Sequence, residues 1–222
     1  MCYCFKMKLA IIEGSSTAYG TGSTEHGGWA AAVHRDSLRY NETHSLNPLI
    51  VTNLAVPGKN INSVNKDFSE ARPSHMTGKN GASLLRILSV GQNEARFGPG
   101  MPGPIVSPSA FEGQLIVFAE ATAAEGGSAI FVGPQHVDES LTRPCGDTGW
   151  TIRNDYIDDY SERIRTVSTE FDIPYVDVKS MFRLYRPSDV LAADGRHPNG
   201  FGHSLIHEAV RATISEMHFL DS

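Results

Sequence analysis

Two adjacent serines, Ser15 and Ser16, follow the apolar run KLAIIEG (residues 8–14) and precede a glycine at position 20. A serine on a turn at the amino end of a helix has backbone N–H groups beside it that favour developing negative charge. Its hydroxyl is a weak nucleophile until a base removes the proton. On this stretch alone, either serine could equally be a helix cap. Far along the chain, in AADGRHPNGFGHSLIHEAV, Asp194 and His197 stand three residues apart on a turn-rich segment ahead of a helical stretch. A carboxylate so placed can hold one ring nitrogen while the other faces a hydroxyl, which is the base and orienter that a serine nucleophile requires. Gly58 in NLAVPGKN and Asn93 in SVGQNEAR each follow a further apolar run and could offer an N–H donor to an oxyanion.

Other polar groups carry less. His203 and His207 have the i, i+4 spacing of two metal ligands on one helix face. No H-E-x-x-H accompanies them, and Glu208, adjacent to His207, points elsewhere. Packed or surface histidines are therefore expected, with His203 closing the pocket behind His197, and neither a metal nor an organic cofactor is required. Three cysteines, Cys2, Cys4 and Cys145, do not make a disulfide framework.

Strands and crossovers must bring these residues together. Five short apolar runs, at residues 8–14, 49–56, 84–91, 128–134 and 174–178, have the continuous character of strands covered on both faces. Between and after them, residues 27–39, 111–125, 150–170 and 201–218 are long enough for helices. The alternation predicts a three-layer α/β/α fold with a mainly parallel, five-stranded sheet, whose ligands gather beyond the carboxyl ends of the strands. Residues 96–109, RFGPGMPGPIVSPS, are crowded with Gly and Pro and read as a loop on that same side, either a pocket wall or a plain connector.

With 222 residues the chain is long enough for one sizeable core, so a single domain over 1–222 is expected, with 1–7 as a flexible N-terminal segment. The net charge is -6, from 19 Lys and Arg against 25 Asp and Glu, and no basic stripe interrupts it; nucleic acid is not an expected partner. No signal peptide and no transmembrane stretch is evident, which suits a cytoplasmic chain without a membrane span. Nothing in the pattern specifies an oligomeric state.

Taken together, the blocks resemble the SGNH, or GDSL, hydrolases. GSSTAYG is similar to that family's first block, G-D-S, with Gly14, Ser15 in the aspartate position and Ser16 as the nucleophile. NLAVPG resembles the second, with Gly58, and GQNE the third, G-x-N-D, with Asn93. DGRHPNGFGH resembles the last, D-x-x-H, with Asp194 and His197. The resemblance runs from Gly14 to His203 in the family's order, and no G-x-S-x-G elbow is present. It implies an SGNH, flavodoxin-like α/β fold and a serine esterase: Ser16, Asp194 and His197 catalytic, and the Ser16 N–H, Gly58 and Asn93 as oxyanion hole. Ser15 and Glu94 depart from the pattern, each standing where the family has aspartate.

The implied substrate is a small carboxylic ester, an O-acetyl group on a carbohydrate included, cleaved through an acyl-enzyme. Lysophospholipids, thioesters and acyl transfer to another alcohol fall within the same resemblance. A noncatalytic carbohydrate- or lipid-binding protein is the alternative of a different class.

Overall fold

Ile, Leu and Val fill the middle of the molecule because their branched side chains suit a pleated surface buried on both sides. The computed structural model describes residues 7–23, 27–69 and 82–221. The strands are β1 (Lys8–Gly14), β2 (Leu49–Asn53), β3 (Ser83–Ser89), β4 (Ser128–Val132) and β5 (Tyr175–Val176). All pair in parallel, in the order β2-β1-β3-β4-β5. The chain winds outward from β1 to β2 and then returns to β3. The switch point therefore lies between β1 and β3, where an open parallel sheet leaves a crevice for a ligand.

Helices cover both faces. On one side α2 (Gly28–Thr43) and α9 (Gly200–Glu216) bury Trp29, Ala30, Val33, Ile206 and Val210 against Ala10, Ile12, Leu85 and Ile87. On the other, α3 (Ile61–Ser69), α4 (Pro108–Ala124) and α6 (Asn154–Glu170) pack Val64, Phe111, Leu115, Phe118, Ile157, Tyr160 and Ile164 against Leu88, Ala129 and Phe131. Short helices α1 (Ser16–Tyr19), α5 (Glu139–Thr142), α7 (Val178–Phe182) and α8 (Pro187–Val190) lie in the connections. Burial at 157, 160, 164 and 167 in α6 follows the helical repeat.

The expected α/β sandwich is what forms, and several boundaries move for identifiable reasons. β2 ends at Asn53 rather than Val56: the Asn53 side chain accepts from Ala55 N at 3.0 Å and donates to Ala18 O at 2.9 Å, so the chain turns there. β5 is only two residues long because Asp177 caps α7, accepting from Ser180 N at 3.1 Å. α6 starts at Asn154, not 150, since Thr151 is bridged to Phe97 in the antiparallel sense. The helix expected over 27–39 continues to Thr43. β3 carries a charge within its apolar run: Arg86 is fully buried and pairs with Glu13 of β1. The segment expected to be flexible falls almost wholly on residues 1–6, outside the described residues, as do Cys2 and Cys4; Cys145 is buried with a free thiol. Among the described residues no helix is long and apolar enough to cross a membrane.

Candidate active site

The carboxyl ends of β1 and β3 come together at Gly14, whose φ is +144°. A Cβ there would lie 2.1 Å from Ser89 O, so only glycine admits this approach. The chain then turns at once. Ser15 is the N-cap of α1, without a side-chain cap hydrogen bond, and Ser16 is the first helical residue. α1 stops after one turn at Gly20, which is left-handed and donates to Ser16 O and Thr17 O. Ser16 is thus presented at a helix start, where a first-turn N–H has no intrahelical acceptor.

The loop after α8 supplies the partners. His197 Nε2 lies 2.8 Å from Ser16 Oγ, and His197 Nδ1 lies 2.5 Å from Asp194 Oδ2. Asp194 Oδ1 accepts from Arg196 N and His197 N, each at 3.1 Å. Burial would raise the Asp194 carboxyl, but the His197 ring and these two backbone N–H groups outweigh it and hold it well below the ordinary carboxylate range. An ionised Asp194 keeps the proton on Nδ1 and leaves Nε2 to face the serine.

Gly58 and Asn93 occupy the opposite wall. Gly58 sits at φ +85° in the turn between β2 and α3, a conformation that disfavours any side chain, and a Cβ there would meet open space. Asn93, after β3, donates from Nδ2 to Lys59 O at 2.7 Å. That bond uses one of its two amide hydrogens and ties the two strand exits together. Ser16, Gly58, Asn93 and His197 all line a cavity of about 280 Å³.

Several groups that sequence reasoning missed hold this arrangement. Gln92 Nε2 donates to Arg196 O at 2.9 Å, and Gln135 Nε2, just beyond β4, donates to the same carbonyl at 2.5 Å. The backbone beside His197 is therefore gripped from two other strand exits. The Arg196 guanidinium is bidentate on Asp147, at 3.0 and 2.6 Å. Gln92 and Arg196 were inside the blocks already singled out, in GQNE and DGRH, but nothing in their spacing distinguished them; Gln135 had no signal beyond its place after an apolar run.

Glu94, the departure from the third block, is fully buried. Its Oε1 accepts from Ile61 N at 2.6 Å and its Oε2 from Gly91 N at 2.8 Å, so one carboxyl caps α3 and braces the loop that carries Asn93. Burial pushes this carboxyl above its ordinary value against the pull of those N–H groups and of Arg96. Glu94→Gln replaces one acceptor by a donor facing an N–H. The expected result is a loss of about 3 kcal/mol of stability, read as a lower denaturant midpoint at unchanged m-value. A midpoint equal to wild type would show that the brace is dispensable.

The second histidine pair is engaged elsewhere. His203 Nε2 lies 3.0 Å from Thr21 O and its Nδ1 accepts from Trp29 N at 3.3 Å, while His207 Nε2 pairs with Asp36 at 2.6 Å. His203 thus buttresses the turn after α1. A larger cavity of about 510 Å³ between α2 and α9 is lined by these two histidines together with Arg35 and Asp36; Ser16, Asn93 and His197 do not line it. Among the described residues, no group of three His, Cys, Asp or Glu side chains could hold a metal ion.

Residues 13–205 match the GDSL-like lipase/acylhydrolase family. No curated protein matches the chain in sequence. Among solved structures, the lipase/acylhydrolase from Enterococcus faecalis is similar with a TM-score of 0.69 at 17% identity, over 95% of this chain and 96% of that one. Axe2, an acetylxylan esterase from Geobacillus stearothermophilus, is similar with a TM-score of 0.69 at 16% identity, over 93% and 94%. TesA gives a TM-score of 0.63 at 17% identity, over 93% and 98%. At these identities the likeness bears on the fold.

Proposed function

Because the chain belongs to the GDSL-like lipase/acylhydrolase family, we propose that it cleaves a small carboxylic ester through an acyl-enzyme on Ser16. The observation that carries this reading is the continuous path from Ser16 Oγ through His197 to Asp194, opening onto the cavity that Gly58 and Asn93 line. Ser16 Oγ attacks the ester carbonyl carbon while His197 Nε2 takes its proton, and Asp194 stabilises the imidazolium. The carbonyl oxygen becomes an oxyanion that accepts from Ser16 N–H, Gly58 N–H and the second Nδ2 hydrogen of Asn93. The C–O bond to the alcohol then breaks and the alcohol leaves with the His197 proton. Water, deprotonated in turn by His197, attacks the acyl carbon, releases the acid and restores Ser16.

Cavity size favours a small acyl group, since about 280 Å³ is at the low end for a bound organic ligand. An O-acetyl ester fits that space, and the likeness to an acetylxylan esterase makes acetylated sugars a rational first substrate class. A panel of acetyl, butyryl and octanoyl esters, a thioester and an acetylated sugar tests the reading. Turnover should be greatest for acetyl and fall with chain length, and exhaustive chelation should leave kcat/KM unchanged. Octanoyl preference would overturn the small-ester reading. Loss on chelation with recovery by one particular ion, the fold remaining intact, would overturn the metal-free mechanism.

A further inference from the structure

The same cavity contains an arginine that the chemistry above does not use. Arg96 lines it, three residues past Asn93, with its guanidinium 4.8 Å from the centre of the Trp150 ring. Its backbone is fixed by Ile105 N donating to Arg96 O at 3.0 Å, and the flanking Phe97 is bridged to Thr151. The side chain is thereby anchored at both ends, by the loop and by the indole. Yet among the described residues the guanidinium makes no hydrogen bond and no ion pair, and its Nε is buried without a partner. Arg196, lining the same cavity, is by contrast neutralised by Asp147.

Glu94 does not fill the gap. Both its oxygens are committed to backbone N–H groups, and it acts on Arg96 only through space. Burial disfavours the charged guanidinium, Glu94 opposes that effect and Arg196 adds to it. A cation held in a partly dry wall without a directly paired counter-charge is unfavourable until an anion arrives. Placed over the Trp150 ring, the guanidinium has an N–H fork available for the flat, two-oxygen geometry of a carboxylate.

We propose that the preferred ester bears a carboxylate, and that Arg96, held against Trp150, is the specificity residue that pairs with it. This rests on the reading of Ser16 as the acylated residue. The carboxylate could belong to the acyl group or to the alcohol, and the two sources are separated by substrate choice. On the acyl side, 4-nitrophenyl hydrogen fumarate is compared with its neutral fumaramate; the trans double bond keeps the carboxylate from attacking its own ester. On the alcohol side, 4-acetoxybenzoate is compared with 4-acetoxybenzamide. Each kcat/KM is divided by the rate of spontaneous hydrolysis, and the anion-to-amide ratio is taken for wild type, Arg96→Gln and Arg96→Lys.

The expected result is an anion preference in one pair that falls about 10- to 100-fold in Arg96→Gln, the loss of one charge-assisted contact, with Arg96→Lys between the two. Absence of preference in both pairs, or a preference that survives Arg96→Gln, would overturn the proposal. Binding supplies a readout independent of turnover. In the Ser16→Ala protein, tryptophan fluorescence should respond at lower concentration to the anion than to the amide in one of the two pairs, through Trp150 beside Arg96, and Arg96→Gln should abolish the difference. Wild type that hydrolyses no ester while this binding difference holds would sink the hydrolase reading and leave the anion site standing. Hydrolysis without any binding difference would do the reverse.

Discussion

Ser16→Ala will lower turnover of the best ester by about 10⁴- to 10⁶-fold, while Ser15→Ala will retain a readily measured fraction. The two hydroxyls are neighbours and both residues are buried, so exposure does not separate them. Position does. Ser15 is the extended cap residue of α1 and its side chain makes no cap hydrogen bond, whereas Ser16 Oγ is 2.8 Å from the imidazole that would take its proton. Alanine at 16 removes one oxygen and leaves His197, Asp194 and the cavity in place, so only the residual catalysis of binding and oxyanion donors should persist. Near-native thermal unfolding of the variant excludes collapse of the site as the cause. A fluorophosphonate adduct located by mass spectrometry should sit on Ser16 in wild type; an adduct on Ser15 would end the assignment.

Asn93→Ala should cost about 10²- to 10³-fold in kcat with a comparatively small change in KM, the signature of a donor used in the transition state. The structure adds a complication that the residue pattern did not show. Asn93 also tethers Lys59 O, so its removal loosens the turn that carries Gly58. Asn93→Asp keeps the outline of the side chain but sets a carboxylate against both that carbonyl and the oxyanion, and it should be the more damaged of the two. Measuring kcat, KM and thermal unfolding on both variants separates the contributions. A structural tether lost alone would lower the melting temperature and leave kcat near wild type, which would remove Asn93 from the catalytic assignment.

What could be read in the residues divides along physical lines. Apolar runs and their spacing located all five strands, because burial on two faces imposes continuous hydrophobicity. The helix α3 was missed: INSVNKDFS is short and has only three apolar residues, and although Asn60 caps it by accepting from Ser63 N at 3.1 Å, its first N–H is satisfied by Glu94 from a distant part of the chain. Likewise the run at 49–56 looked apolar to its end, yet Asn53 stops the strand through side-chain bonds that depend on α1 being in place. At the site, Ser16, Gly58, Asn93, Asp194 and His197 could be singled out because the proposed chemistry restricts residue type. Gln92, Gln135 and Arg196 could not, since holding a carbonyl or a carboxylate is a task many polar residues perform. The loop 96–109, ambiguous between wall and connector, is a wall at Arg96 and pairs through Phe97 with the 148–152 segment.

The hydrogen bond between Ser16 and His197 joins residues 181 positions apart. Closing so long a span costs chain entropy before any contact rewards it. Ser16 belongs to the strand exit nearest the amino terminus, while its base stands on a loop laid down after β5 at the far edge of the sheet. During synthesis, every nascent chain that has not yet reached His197 carries the nucleophile without the group that activates it. Under the proposed chemistry the serine is dormant until then, and reactivity switches on only when the segment that carries Asp194 and His197 has emerged and docked. Partly made chains are thereby spared acylation.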